Sequence, residues 1–286
     1  MKNLKKVLSL VLALAMALSL MTVAFAADAS DYKDYSKVTH KEAVDVMTAA
    51  GIFNGTGDGT NFTPDGTLTR EQAAKIITYM LVGQEQADKL TATVAPYSDV
   101  AASRWSAGAI AYCTNEGILA GTGNGKFNPT GELSGLEFAK MLLVALGYDP
   151  QIEQLVGNSW AINVSKLALG DAELDNGMSV SLSKTLTREE AAQMAFNAMQ
   201  ATLVEYEDNG GKIELPGGIV IVTDPSKATP VTSKVKADAD NISDDTVVMN
   251  GADDVYTVEF AEKYCKDLKL TSGDTDAFER PASTWK

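Results

Sequence analysis

Side chains that could carry out chemistry are few and far apart in this chain. Its one histidine is His40, and its two cysteines are Cys113 and Cys265. A nucleophilic triad or a zinc site needs several such groups close together, and the spacing here predicts neither. The 38 Asp and Glu residues are abundant, but no two are marked out as a catalytic pair. We therefore predict no catalytic residues, no metal site and no cofactor.

Two glycine-rich segments, residues 55–59 and 121–125, invite comparison with phosphate- and calcium-binding loops. Neither ends in the Lys-Ser/Thr pair that holds a phosphate, and neither follows a buried strand. Asp58, Asn61 and Asp65 lack the alternating acidic ligands and the final Glu of an EF-hand. We interpret both segments as tight turns that need positive φ angles.

Each loop belongs to a longer segment that occurs twice. Residues 51–83 and 117–147 share their glycines and a Phe-x-Pro motif, with Phe62 matching Phe127. The second half of the segment occurs a third time, at 186–199. A repeat of this length is a supersecondary unit, so the chain is organised around three copies.

The second half of each copy is predicted to be an amphipathic helix, because its apolar residues recur at the spacing of one helix face. A hydroxyl residue followed by Gln or Glu at the third helical position marks each start, since the two side chains can satisfy each other's backbone N–H groups. These capping boxes are Thr69 with Gln72, Ser134 with Glu137, and Thr187 with Glu190.

A first helix precedes each loop, and Gly51 and Gly117 stand where a left-handed residue ends it. Cys113 occupies the place that Met47 takes in the first copy, so we interpret it as a small core residue rather than half of a disulfide with Cys265. The predicted inward residues of the three first helices are Ala43, Val44 and Met47, then Ala109, Ile110 and Cys113, then Val164, Leu167 and Ala168.

These motifs resemble the S-layer homology (SLH) repeat. The hallmarks of that family are an aromatic-Ser-Asp-Val opening, a Trp beginning the first helix, a glycine at its end, a glycine-rich loop with Phe-x-Pro, and a Thr-Arg-Ala-Glu-like start to the second helix. Residues 97–100 read Tyr-Ser-Asp-Val, and residues 35–38 read Tyr-Ser-Lys-Val. The resemblance covers residues 30–205.

The resemblance implies a mainly α fold in which three helix-loop-helix repeats form a pseudo-threefold bundle. We place repeat 1 at 30–92, repeat 2 at 93–149 and a divergent repeat 3 at 150–208, with a polar linker at 84–96. A small, acidic, β-containing region follows at 209–286.

In that last region, 219–223 and 255–260 are predicted to be short strands. Residues 237–254 hold six Asp and no basic residue, which is typical of a solvated loop. The chain stops at 280–286 on apolar and aromatic residues, so we expect a fragment with further sequence beyond Lys286.

Residues 1–26 have the pattern of a secretory signal peptide: lysines, then an apolar run, then Ala-Phe-Ala at 24–26. No later segment approaches the roughly 18 apolar residues of a membrane span, so we expect no membrane contact after cleavage. Cleavage removes three of the 24 basic residues and none of the 38 acidic ones, which changes the net charge from −14 to −17. Such a charge argues against nucleic acid and other anionic polymers bound by bulk charge, although a local Arg site can still hold an anion.

In the SLH family, grooves between repeats bind the secondary cell-wall polysaccharide, commonly through its pyruvylated terminal sugar. An Arg at the start of the second helix suits a ketal carboxylate, because it lies beside free N–H groups and the positive end of the helix dipole. A Trp at the start of the first helix offers a flat apolar face to a sugar ring. The Arg position holds Arg70, Gly135 and Arg188 in chain order, and the Trp position holds Thr39, Trp105 and Trp160.

If each groove combines the Arg of one repeat with the Trp of the next, only Arg70 and Trp105 form a complete pair. We therefore predict one competent groove, in which replacing Arg70 by Ala abolishes wall binding and leaves thermal stability nearly unchanged. The predicted polysaccharide-binding residues are Thr69, Arg70, Gln72, Asp99 and Trp105 in that groove, with Trp160, Thr187 and Arg188 at the equivalent positions elsewhere.

The leading functional prediction is a non-catalytic protein that is secreted and held on the cell wall or S-layer by binding this polysaccharide, with self-association in a surface layer as a further expectation. One alternative is the tether of an exported enzyme whose catalytic domain lies beyond Lys286. Another is a structural lattice subunit whose repeats make protein contacts instead of sugar contacts.

Overall fold

The computed structural model describes residues 28–179, 181–206, 211–215, 219–223, 227–233, 247–250, 253–265, 270–275 and 281–285. The predicted signal peptide at 1–26 lies outside these residues and stays a prediction. The described helices are α1 (Lys41–Ala49), α2 (Arg70–Val82), α3 (Gln84–Ala87), α4 (Ala107–Asn115), α5 (Gly135–Ala145), α6 (Trp160–Gly170), α7 (Arg188–Gln200) and α8 (Phe260–Tyr264). The mainly helical prediction is confirmed. Among the described helices, none combines the length and apolar character that crossing a membrane requires.

The three second helices, α2, α5 and α7, begin with the predicted capping boxes. In each, the cap hydroxyl accepts a hydrogen bond from the backbone N–H of the third helical residue, whose side chain accepts one from the cap's N–H. The pairs are Thr69 with Gln72, Ser134 with Glu137, and Thr187 with Glu190. The capping motif in the sequence is therefore sufficient to locate all three helix starts.

A closed cycle of three backbone hydrogen bonds joins the residues just before these helices. The Leu68 N–H donates to the Leu186 carbonyl at 3.0 Å, the Leu186 N–H to the Leu133 carbonyl at 2.9 Å, and the Leu133 N–H to the Leu68 carbonyl at 3.0 Å. All three leucine side chains are buried. The three copied segments therefore meet at one point in the core.

The first N–H group of each second helix also donates to a neighbouring segment. These bonds satisfy donors that a helix start leaves without intrahelical partners. They run from Arg70 to the Gly131 carbonyl, from Gly135 to the Lys184 carbonyl and from Arg188 to the Gly66 carbonyl, at 2.9, 3.0 and 2.8 Å. Each helix start is thus anchored on the loop of the next segment.

The first helices and their turns also follow the sequence pattern. The nine predicted inward residues of α1, α4 and α6 are all buried. Gly51 and Gly117 have φ angles of 69° and 70°, and the loop glycines Gly57 and Gly125 have 59° and 68°. Cys113 is a buried free thiol as predicted, and burial raises its pKa to about 12.

The predicted linker at 84–96 is partly structured and packs on the helices. It begins with α3, whose Ala87 is fully buried. The Leu90 carbonyl lies directly against Gly108 of α4, so close that no larger residue fits there without a shift. This segment therefore forms a wall beside α2 and α4.

The strands are short and their pairing is antiparallel throughout the described residues. The predicted strand at 219–223 is confirmed, whereas the prediction for 255–260 is only partly right, because α8 begins at Phe260. Most of the Asp-rich stretch at 237–254 lies outside the described residues. The strands are β1 (Val204–Glu205), β2 (Gly211–Leu215), β3 (Ile219–Thr223), β4 (Thr229–Pro230), β5 (Thr232–Ser233), β6 (Val247–Asn250), β7 (Asp253–Thr257), β8 (Leu270–Thr275) and β9 (Pro281–Trp285), in the sheets β1-β4, β2-β3, β5-β7-β6 and β8-β9.

Helix α8 packs into the same core as the repeats. Phe260 and Ala261 are fully buried, and the Phe260 N–H donates to the Ala201 carbonyl at 3.0 Å. The start of α8 is marked by a capping box between Glu259 and Glu262. Part of the chain beyond residue 208 therefore completes the helical core.

Candidate ligand-binding grooves

Two grooves lie at the starts of α2 and α5. Groove A is about 490 Å³ in volume and groove B about 680 Å³, within the range of roughly 300–1,000 Å³ that is common for small-ligand sites. Groove A is lined by Ile52, Phe53, Asn54, Gln72, Lys75, Ile76, Tyr79, Asp88, Trp105 and Arg188.

Groove B repeats the construction of groove A. Arg70 and Trp160 also line it, in the roles that Arg188 and Trp105 have in groove A. Its residues Ile118, Leu119, Ala120, Glu137, Lys140 and Met141 are the repeat equivalents of Ile52, Phe53, Asn54, Gln72, Lys75 and Ile76. The two grooves are therefore the same site built twice.

The pairing of Arg and Trp differs from the prediction. Arg70 shares groove B with Trp160, and Arg188 shares groove A with Trp105, so Arg70 and Trp105 do not line a common groove. Each groove takes its loop and lysine from one segment, its Arg from the preceding segment and its Trp from the following one, with the third segment (residues 150–208) preceding the first. Two complete sets result, where one was predicted.

Both arginines act as clamps between segments. Arg188 donates from Nε to the Phe62 carbonyl and from an Nη to the Asn54 carbonyl, both at 2.9 Å. Its guanidinium also lies over the rings of Phe53 and Phe62, 5.7 and 5.2 Å from their centres. Arg188 is only 7% exposed, and burial lowers its pKa. Arginine keeps its charge even so.

Arg70 makes the equivalent contacts in groove B. It donates from Nε to the Phe127 carbonyl and from an Nη to the Ala120 carbonyl, both at 2.9 Å, and lies 4.7 Å from the centre of the Phe127 ring. Its side chain is half-buried. Replacing Arg70 by Ala would leave two carbonyl groups without this donor, which argues against the prediction that the change leaves thermal stability nearly unchanged.

The helix-start N–H groups next to these arginines are already occupied. Besides the Arg70 N–H, the Glu71 N–H donates to the Pro129 carbonyl at 3.0 Å, and the Gln72 N–H donates to Thr69. The same holds at Arg188 and Thr187 in α7. The idea that an anion binds these backbone groups is thus not supported, and an anion in either groove has to use side chains.

The tryptophans provide open aromatic surface. Trp105 is 58% exposed and Trp160 is half-buried. Trp105 lies two residues before α4 begins and Trp160 is the first residue of α6, and each lines its groove. A large aromatic face that stays in contact with solvent is suited to stacking on a sugar ring.

Lysines at the sixth helical position were missed by the sequence prediction. Lys75 in α2 lines groove A and Lys140 in α5 lines groove B, while α7 has Gln193 at this position. Their constant spacing from the capping boxes could have indicated a shared role. It was overlooked because a lysine on a helix is usually a solvated surface residue. With them, each groove holds two cations.

Asp99 holds the backbone of the loop at Phe127 and Asn128. Its two carboxylate oxygens accept hydrogen bonds from the Phe127 and Asn128 N–H groups, both at 2.8 Å, and the bond from Phe127 lowers its pKa. Asp34 holds Phe62 and Thr63 in the same way. Asp99 lines neither groove. In the described residues, no group of three or more His, Cys, Asp or Glu side chains is arranged to hold a metal ion.

The third junction is the place equivalent to grooves A and B where the third segment meets the second and the first. It has none of the Arg, Lys and Trp side chains that line the two grooves. Gly135 stands in the Arg position, Thr39 in the Trp position and Gln193 in the Lys position, and all three belong to the same junction. A Cβ on Gly135 would lie 2.8 Å from the Leu182 Cα and carbonyl oxygen, so the backbone itself fills the space of an Arg. The Thr39 N–H donates to Glu189 at 2.8 Å.

Comparison with known proteins shows which kind of domain the repeated segments are. The model of the S-layer homology domain matches residues 31–74 and 96–139, which include the first helices, the loops, both capping boxes and the starts of α2 and α5. Residues 31–74 and 96–139 are therefore S-layer homology domains. The matched SLH residues include Arg70 and Trp105, and Lys75 and Lys140 each lie one residue beyond the end of a matched range. Trp160 and Arg188 come from the third segment.

Curated relatives are large bacterial surface proteins. A cell surface protein of Thermoanaerobacter kivui is 30% identical over 210 residues, which are 73% of this chain and 26% of the relative. A surface layer protein of Brevibacillus choshinensis is 29% identical over 214 residues (75% of this chain, 18% of the relative), and a middle cell wall protein of Brevibacillus brevis is 30% identical over 212 (73% and 19%). The chain therefore spans about a quarter or less of the length of these relatives.

Proposed function

We propose that this chain anchors an exported protein non-covalently to the bacterial cell wall, by binding an anionic secondary cell-wall polysaccharide in grooves A and B. The observation that carries the proposal is the repeated set of Arg, Lys and Trp around two equivalent concave sites. The SLH domains at 31–74 and 96–139 and the surface-protein names of the relatives support a location at the cell wall or surface layer.

The chemistry of the grooves suits a sugar that carries a carboxylate. The lysine ammonium, beside a guanidinium, attracts the negative charge of a pyruvyl ketal, and the exposed indole covers an apolar sugar face. The chain as a whole is strongly acidic, so bulk attraction does not favour an anionic polymer. Recognition therefore depends on local contacts, which favours binding of single terminal residues over the general polyanion.

We also propose that residues 150–208 are a third, divergent SLH repeat and that the three repeats are related by a pseudo-threefold axis. The cyclic hydrogen bonds among Leu68, Leu133 and Leu186 support this arrangement. So does the shared capping box of α7. In this arrangement the divergent repeat contributes Arg188 and Trp160 to the grooves of its neighbours while its own groove is lost.

A co-sedimentation experiment tests the anchoring function. The chain from residue 27 to Lys286 is mixed with cell-wall sacculi, before and after removal of the secondary polysaccharide. Trp105→Ala and Trp160→Ala are each expected to weaken binding, and the double variant to abolish it, while Val94→Ala serves as a control because Val94 is 74% exposed and lines neither groove. Binding that survives the double substitution, or removal of the polysaccharide, would contradict the proposal.

A lattice subunit is the second candidate, and one surface favours it. Leu136, Ile162 and Leu169 line a shallow apolar depression between α5 and α6, with Ile162 75% and Leu169 45% exposed. Self-assembly of the purified chain without wall polymer, reversed by Ile162→Ser in sedimentation velocity, would support this role. A chain that stays monomeric at high concentration would argue against it.

A further inference from the structure

The two grooves differ in the position of their carboxylate: groove A has Asp88 and a neutral Gln72, whereas groove B has Glu137 in the place of Gln72 and no counterpart of Asp88 in its lining. In groove A, Asp88 Oδ1 lies 2.8 Å from Lys75 Nζ and accepts a hydrogen bond from the Tyr79 hydroxyl at 2.8 Å. The Lys75 side chain is only 17% exposed and that of Asp88 is 49% exposed. The lysine charge in groove A thus already has a carboxylate partner, supplied by the wall segment that follows α3.

In groove B, the connecting segment that lines the groove contributes no charged side chain. The residues of the connecting segment that line it are Pro150, Gln151, Val156 and Gly157. The acidic residues of this segment, Asp149 and Glu153, do not line the groove, and Glu153 accepts a hydrogen bond from the Tyr206 hydroxyl at 2.9 Å. Asp88 therefore has no counterpart that reaches Lys140.

Lys140 is consequently a half-buried cation without a bonded anion. Among the described residues it forms no salt bridge, and burial lowers its pKa. The acidic residue that lines groove B is Glu137, whose Oε2 accepts hydrogen bonds from the Ser134 N–H and hydroxyl. A partly desolvated ammonium in this setting gains more from an incoming anion than one that is already paired.

We propose that Asp88 is an internal competitor for the anionic ligand of groove A, so that groove B, through Lys140, is the stronger of the two sites. This inference rests on the proposed function, because it assumes that the grooves bind a carboxylate-bearing sugar. In groove A such a ligand has to share Lys75 with Asp88 and is repelled by its charge. In groove B it meets Arg70, an unpaired Lys140 and a Glu137 that is already engaged in its capping box.

The test uses a methyl glycoside with a 4,6-pyruvyl ketal as the probe, and its methyl ester as the uncharged control. The ¹⁵N-labelled chain from residue 27 to Lys286 is titrated by NMR. The indole N–H signal of Trp105 reports groove A and that of Trp160 reports groove B, each assigned with its Trp→Phe variant. Asp88→Asn removes the competing charge and retains an acceptor for Tyr79, and Glu153→Gln is the matched control, because Glu153 also accepts a hydrogen bond from a tyrosine but lines neither groove.

In the unsubstituted chain, the Trp160 signal is expected to saturate at a lower probe concentration than the Trp105 signal. Asp88→Asn should tighten the Trp105 curve about fivefold, as expected for one partly screened charge pair, and leave the Trp160 curve unchanged. Glu153→Gln should change neither curve. The ester should show no difference between the grooves.

A pair of lysine variants gives a second, independent readout. Lys140→Met should weaken groove B about tenfold, the size of one lost charge-assisted hydrogen bond, and Lys75→Met should weaken groove A less. If both signals respond but Asp88→Asn leaves the Trp105 curve unchanged, or if it tightens binding of the ester equally, the competitor role is wrong while the anchoring function stands. If neither signal responds to the ketal, the proposed function itself fails.

Discussion

Grooves A and B and the third junction have the same backbone framework but different side chains. Capping boxes, the leucine hydrogen bonds and the helix-to-loop bonds occur at all three. Arg, Lys and Trp occur together in grooves A and B. At the third junction they are replaced by Gly135, Gln193 and Thr39. The backbone framework therefore forms without these three side chains.

This pattern separates two roles that the sequence motif combines. Residues common to all three junctions, such as the capping hydroxyls and the central leucines, maintain the fold. Residues present only in grooves A and B are candidates for ligand contact. The arginines belong to both groups, because they line a groove and also close a loop with two hydrogen bonds each.

The largest expected effect tests this double role. Arg188→Ala should lower the free energy of unfolding by about 3 kcal/mol, because it removes two charged hydrogen bonds, to the carbonyls of Phe62 and Asn54. Arg70→Ala should cost about half as much, since its side chain is half-buried. Urea denaturation of both variants measures the difference. Losses below about 0.5 kcal/mol for both, the range of a neutral surface substitution, would show that the arginines matter only for ligands.

A second prediction concerns the third junction. Gly135→Ala should lower the free energy of unfolding by about 2 kcal/mol, as overpacking does, because its Cβ would lie 2.8 Å from the Leu182 backbone. Gly170→Ala is the control, since no atom lies within 4 Å of the added Cβ. Thermal denaturation of the two variants is the measurement. If Gly135→Ala leaves the thermal stability unchanged, the Leu182 backbone can move aside and the third junction has room for an Arg.

The sequence predicted the parts of this molecule that depend on local spacing. Helix starts, inward faces and glycine turns follow from residues within one segment, and they are confirmed at α2, α5 and α7. The predicted pairing of Arg70 with Trp105 is not found in either groove, because pairing depends on which segments lie side by side. That order is set by contacts such as Leu68 with Leu186, which no local pattern records.

Helix α8 is a second element whose place in the fold depends on residues far away in the chain. The predicted strand at 255–260 overlooked the capping box of Glu259 and Glu262, which a purely apolar reading of the segment does not reveal. The burial of Phe260 depends on the surfaces of α2 and α7, more than fifty residues earlier in the chain. Spacing within the segment therefore could have located the helix, but not its place in the core.

The smallest expected effect comes from the contacts between second and first helices. At α2 and α4, Glu71 accepts hydrogen bonds from the Arg104 Nε and an Nη at 2.7 and 2.8 Å and from the Ser106 hydroxyl at 2.6 Å. At α5 and α6 the equivalent residue is the apolar Leu136. One helix contact therefore depends on a carboxylate and the other does not.

Acid should expose this difference. Burial alone would raise the pKa of Glu71, but the hydrogen bonds from Arg104 and Ser106 outweigh it and lower the pKa below its ordinary 4.5. A carboxyl group with a lowered folded-state pKa contributes stability that is complete above 4.5 and is lost as the pH falls through the folded value. Glu71→Gln should therefore cost about 1–2 kcal/mol at pH 7 and progressively less below pH 4.5. Denaturation measured across this pH range, with Glu137→Gln as the comparison, decides the matter: equal losses at every pH would mean that the Glu71 charge contributes nothing to the contact between α2 and α4.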